Sequence, residues 1–214
     1  MQDLTLTMSL LKGNIVNIRW NYANEGSYSP FEVPENIVNV NRTDYSVDST
    51  LADFVNITQD TEGPFTIEVK NVPGPTGEII YTLNGMILDT HFSLMSHIMH
   101  VYQPNYKGVI GLMDQVSNSL FLKDGVYSLW NRAAESPIAD GMSPGKNLQG
   151  SSPYLMARAN DSNWFGIYSN NAAAQDWWLT NEPASGKVYL KTIAAGGTGD
   201  LFIFHSDSPD QVVA

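Results

Sequence analysis

The 214-residue sequence contains no cysteine, which excludes disulfide bonds and thiolate metal sites alike. No apolar run approaches the roughly 20 residues a membrane-spanning helix needs. The opening MQDLTLTMSLLKGN alternates from the start, without a basic leader or an apolar h-region, so it does not read as a signal peptide. Basic residues are scarce: 11 Lys and Arg stand against 22 Asp and Glu, a formal net charge of -11. That balance argues against nucleic acid or an anionic membrane surface as a partner. A convincing 3.6-residue period is absent, as is any repeat of about 20–50 residues. Gly-x-Ser-x-Gly, His-Glu-x-x-His and phosphate-cradling glycine patterns are missing too.

What remains is apolar enough to fold. Hydrophobic residues make up 43% of the chain and aromatics 11%, sufficient for a sizeable core. Leu4, Leu6, Met8 and Leu10 alternate with Thr5, Thr7 and Ser9, and Val16, Ile18 and Trp20 alternate after a Gly13-Asn14 turn. This is an opening hairpin. Further strands are expected over 54–58, 65–70, 79–83, 86–88, 92–102, 109–112, 154–158, 164–168, 176–179, 187–193 and 201–205. Asn84-Gly85 is the strongest hairpin signal, and Gly196 to Gly199 reads as a flexible hairpin. Asn171 to Asp176 has room for one helical turn at most. The spacing of about 8–12 residues between turn signals predicts an all-β fold, a large twisted β-sandwich with essentially no helix. Residues 1–214 read as a single sandwich domain.

The stretch from Leu120 to Tyr154 stands apart. A strand, a turn at Lys123-Asp124-Gly125 and a second strand ending at Trp130 are expected, followed by a glycine- and proline-containing excursion from Asn131 to Ser152. Irregular segments of this length inside a compact domain are usually functional or form interfaces.

Candidate chemistry is thin. His91 and His97 would share a strand face, with His100 on the other. Six residues of strand span about 20 Å, too far for one ion, so no metal site is expected, nor any cofactor; the histidines read as surface or partly buried strand residues. Asp114, Asp140 and Asp176 neighbour glycine-rich segments without forming a recognisable catalytic pair. Trp130, Tyr154, Trp164, Trp177 and Trp178 gather in the second half, and exposed aromatic faces are what sugar rings stack on. Adjacent Trp177 and Trp178 must point to opposite faces of a strand. Sequons at Asn41, Asn56 and Asn160 are glycosylation candidates and would suit a secretory, lysosomal or extracellular protein.

Three motifs in succession carry a resemblance: Val109-Ile110-Gly111-Leu112-Met113-Asp114, then Leu122-Lys123-Asp124-Gly125-Val126-Tyr127-Ser128-Leu129-Trp130-Asn131-Arg132, then Gly145-Lys146-Asn147-Leu148-Gln149-Gly150-Ser151-Ser152-Pro153-Tyr154. With Trp164-Phe165-Gly166-Ile167-Tyr168-Ser169-Asn170-Asn171, they closely resemble the N-terminal domain of glycoside hydrolase family 31, the retaining α-glucosidases. The resemblance implies a galactose-mutarotase-like sandwich packed on a catalytic (β/α)8 barrel that carries the acid/base and nucleophile aspartates. The barrel lies outside this sequence, so the chain alone is expected to be non-catalytic. The resemblance further implies that Asn131, Arg132 and Asn147 line the sugar site, with an α-glucoside as ligand.

Departures from the pattern accompany the match. Ala133 stands where an aspartate is usual, Met113-Asp114 where Gly-Glu is, and in the Asn-Leu-Tyr-Gly-x-His-Pro run Gln149 replaces the tyrosine and Ser152 the histidine. An alanine cannot accept a hydroxyl hydrogen bond. Two functions therefore follow: an accessory, carbohydrate-binding domain of an α-glucosidase-like hydrolase, or a degenerate module, a pseudoenzyme piece, serving as a structural subunit among other proteins. A stand-alone mutarotase would need a pair such as His205 and Glu135, which no motif supports.

Overall fold

The computed structural model describes residues 4–22, 50–59, 65–88, 93–100, 108–112, 119–130, 150–158 and 163–213. Thirteen strands among them form two antiparallel sheets. They are β1 (Leu4–Leu11), β2 (Ile15–Tyr22), β3 (Val55–Gln59), β4 (Phe65–Lys70), β5 (Ile79–Leu88), β6 (Ser93–His100), β7 (Ile110–Gly111), β8 (Gly125–Leu129), β9 (Tyr154–Arg158), β10 (Trp164–Ser169), β11 (Gln175–Glu182), β12 (Lys187–Ala194) and β13 (Gly199–Ser206). One sheet has the order β1-β2-β13-β10-β9-β7, the other β3-β4-β5-β6-β12-β11-β8. The expected all-β sandwich is what forms. Two short helices join it, α1 (Leu51–Phe54) and α2 (Pro209–Val213). A capping box between Thr50 and Asp53 starts α1, satisfying two otherwise orphaned backbone donors.

The alternation read in the sequence places one set of side chains between the sheets. Ile18, Trp20, Phe165, Ile167, Leu201 and Ile203 from the first sheet meet Ile67, Val69, Tyr81, Leu83, Met99, Trp177, Val188 and Leu190 from the second, all buried. At about 25 cal/mol per Å2 of apolar surface removed from water, this layer dominates the folding free energy.

Four local expectations are corrected. Asn84-Gly85 does not turn a hairpin: β5 runs unbroken through it, pairing β4 on one side and β6 on the other. The register shifts between Asn84 and Met86, and Gly85 takes a φ of 66°, so the pair makes a bulge. Two flanking ladders outweigh a local turn signal, and glycine supplies the left-handed backbone. Leu120 to Leu122 forms no strand; only Gly125–Leu129 does. Gly196 to Thr198 is no hairpin either, because β12 and β13 belong to different sheets, and the glycines carry the chain across. Lastly, His97 is not a surface or partly buried histidine but wholly buried in β6.

That histidine is accommodated by a polar line through the second sheet. Tyr81 Oη and Thr192 Oγ1 each lie 2.9 Å from a ring nitrogen of His97. One nitrogen donates and the other accepts, which suits the neutral imidazole. Burial pushes its pKa down to about 3.

Candidate functional site

The chain changes sheet repeatedly, and at one end of the sandwich the described ends of the β8–β9 connection, Trp130 and 150–153, meet the crossings 170–174 between β10 and β11 and 195–198 between β12 and β13. Asn171 ties two of them together. Its Nδ2 donates to Gly196 O at 2.9 Å and Thr198 O at 3.3 Å, while its Oδ1 accepts from Ala173 N at 2.8 Å. Gln175 fastens the same turn from below: Nε2 donates to Asn171 O at 2.8 Å, and Oε1 accepts from Ser169 Oγ and Trp177 Nε1 at 3.3 and 3.2 Å. The asparagine-rich run is a backbone-holding device of the kind short amides provide in turns.

Beside this turn lies a cleft of about 490 Å3 lined by Leu129, Trp130, Ser151, Pro153, Tyr168 and the 171–175 turn. Its walls include residues on both sides of the 131–149 segment. Trp130 offers a large aromatic surface there, 69% exposed. Burial, and secondarily the charge of Asp200, raises the Tyr168 pKa, so its phenol stays protonated and able to donate. None of the described lining residues is a carboxylate or an imidazole, so these walls provide stacking and hydrogen bonding rather than acid–base chemistry.

The expected site residues Asn131, Arg132 and Asn147 lie outside the described residues, as do Asn41, Asn160, His91, Asp114, Glu135 and Asp140. Trp130, next to Asn131, and Ser151, four residues beyond Asn147, both line the cleft. Asn56 is exposed on the edge strand β3, where its Nδ2 donates to Glu68 Oε2 at 3.0 Å. Asp176 accepts from Ser128 Oγ at 2.6 Å. His205, on β13, is not brought to the cleft. Reading from sequence missed Gln175 and Tyr168 as cleft residues; the Asn171-Ala-Ala-Ala-Gln175 run was the available signal. Among the described residues no group of three or more His, Asp or Glu could hold a metal ion, and no helix is long and apolar enough to cross a membrane.

The described residues thus form a two-sheet antiparallel sandwich domain with an aromatic cleft at its crossing end. Over 156 residues, 72% of this chain, the sequence is 28% identical to a probable alpha/beta-glucosidase of Arthroderma benhamiae. The chain spans 17% of that protein's length. No protein-family profile matches. A looser overlap covers 99% of this chain and 28% of a family 31 sulfoquinovosidase from E. rectale, at a TM-score of 0.39 and 8% identity, and carries no weight beside it. The expected likeness to a glycosidase of the α-glucosidase kind is met at the level of the Arthroderma benhamiae relative.

Proposed function

We propose that this chain, residues 1–214, is a single non-catalytic sandwich domain of an α-glucosidase-like glycoside hydrolase. In this reading it packs against a catalytic (β/α)8 barrel that supplies the two aspartates. Trp130 and the following Asn131, Arg132 and Asn147 form a wall of the sugar site. One observation supports this more than any other: exposed apolar side chains concentrate just ahead of the cleft segment. Leu120 is 73% exposed, and Phe121 and Trp130 are exposed as well. Leu120 and Phe121 rim a second, apolar groove of about 230 Å3 with Ile110, Met156 and Trp164. Water-exposed apolar area clustered in this way marks a surface that a partner covers. The chain acts in the secretory pathway or outside the cell, with Asn41, Asn56 and Asn160 as glycan acceptors.

A second reading, a degenerate structural subunit, draws on the cleft itself. The amides of Asn171 and Gln175 are engaged in holding their own turn, and the motif departures at Ala133, Gln149 and Ser152 fall in or beside the cleft segment. Native mass spectrometry of the chain purified from its source, with peptide mapping, separates the two. A barrel bearing two catalytic aspartates, on the same or a bound chain, is the expected result. Stable partners unrelated to glycosidases would replace the first reading with the second.

A further inference from the structure

The outer face of the seven-stranded sheet carries an aromatic platform that the cleft does not use. Trp177 points into the core, so Trp178 points out, 47% exposed. It sits on a strand paired on both sides, opposite Lys191 of β12 and Val126 of β8, so its backbone is held rigidly. Lys191 Nζ lies 5.7 Å from the ring centroid, within cation–π range. Tyr189, also exposed, is diagonal to Trp178 on the neighbouring strand, about 7–8 Å away by sheet geometry. Its Oη donates to Glu182 Oε2 at 3.3 Å. Toward the other end, Asp176 and Ser128 are hydrogen-bonded to each other.

We propose that this face binds a neutral oligo- or polysaccharide, with one sugar ring stacked on Trp178 and a neighbouring one reaching Tyr189. A pyranose has an apolar C–H face and a rim of hydroxyls that both donate and accept. The platform matches both features: an aromatic face flanked by an ammonium, two carboxylates and hydroxyls. Protein-binding cores are depleted of Lys, Glu and Asp, so charges interleaved with the aromatics fit a polyol better than a protein partner. Asp176, Glu182 and the net charge of -11 disfavour an anionic polymer. The proposal does not depend on the cleft: Gln175 of the cleft faces inward, and Trp178 faces outward three residues further along β11.

Affinity electrophoresis of the full 214-residue chain tests it, in gels containing soluble starch, mixed-linkage β-glucan or xyloglucan, with dextran sulfate as the anionic control. At least one neutral polysaccharide is expected to retard the protein. Trp178→Ala should weaken that retardation at least tenfold and Tyr189→Ala by a smaller factor, while Val72→Ala, at an exposed apolar residue just after β4 and outside both sites, stays within twofold of the parent. Circular dichroism checks that each variant is folded. Retardation lost in Trp130→Ala but kept in Trp178→Ala would move binding to the cleft and overturn the proposal. Retardation by dextran sulfate alone, or by nothing, would also overturn it.

Discussion

The two outer faces of the sandwich differ in a way their strands make plain. In β11 and β12 burial alternates residue by residue, so each strand has a wet side. In β13 five consecutive residues, Gly199 to Ile203, are buried, so the six-stranded sheet is covered on its outside as well. Phe202 lies there, 1% exposed, with Tyr168 and Phe204 rings at 6.1 and 6.4 Å. Tyr154 reaches across Gly166, where any Cβ would meet its ring, and its Oη donates to Val212 O at 3.1 Å. That bond fastens α2, which packs against β10 and β13. Asp200 is buried on the same sheet with Asn17 Nδ2 and Asn170 Nδ2 each donating to it at 2.8 Å, the pairing a buried carboxylate requires. One face is therefore a third structural layer, and the other is a surface. The first contributes stability and the second is free to bind.

The largest effect that would break this contrast is truncation of the covered face. Phe202→Ala is expected to cost about 4 kcal/mol, the usual range for emptying a buried aromatic site, read as a lower urea midpoint. A loss under about 1 kcal/mol would mean the face is not a true layer.

Next comes pH, which probes the interior between the two faces. The unfolded chain protonates its histidines near 6.5, whereas His97 in the fold does so at about 3. The unfolded state thus binds more protons between those values. Stability is full above about pH 6.5 and falls as pH drops toward 3. At pH 5 the loss from His97 alone is about 2 kcal/mol. Burial lowers the pKa of His100 and His205 as well, with the same sign. Urea midpoints at pH 7 and pH 5 measure the sum. Unchanged midpoints would mean His97 gains water or a charged partner on acidification.

Loosening α2 is a smaller change. Tyr154→Phe removes the hydrogen bond to Val212 and should cost about 1 kcal/mol, with faster amide exchange confined to α2. Exchange unchanged there would show that packing alone holds the helix. Smallest is Trp178→Ala on the open face, expected within about 0.5 kcal/mol of the parent. A cost near that of Phe202→Ala would show that the two faces are alike after all.

Much of the fold was legible because a strand with one buried side writes its period into the chain. β1, β2, β4, β9, β10 and β12 appear where alternation and turn signals put them. The opposed exposure of Trp177 and Trp178 followed from the same rule. Asn84-Gly85 failed because a turn signal is local, and two ladders from β4 and β6 overrode it. His97 looked like a polar strand residue until Tyr81 and Thr192, 16 and 95 residues away, supplied its partners. Of the candidate site, the motifs pointed to the segment that Trp130 and Ser151 flank, and Trp130 was visible as an aromatic. Its meeting with Tyr168 and Gln175 was not, since those residues come from other crossings.

The amino-acid order by itself determined most of the strands and which way their side chains face, because these depend on neighbours within a few residues. It also carried the family resemblance. Only the tertiary structure decided which strands share a sheet, which crossings gather around the cleft, and which outer face α2 closes. Those outcomes rest on contacts between residues far apart in the chain, where the free energy of burial is realised only once both partners are in place.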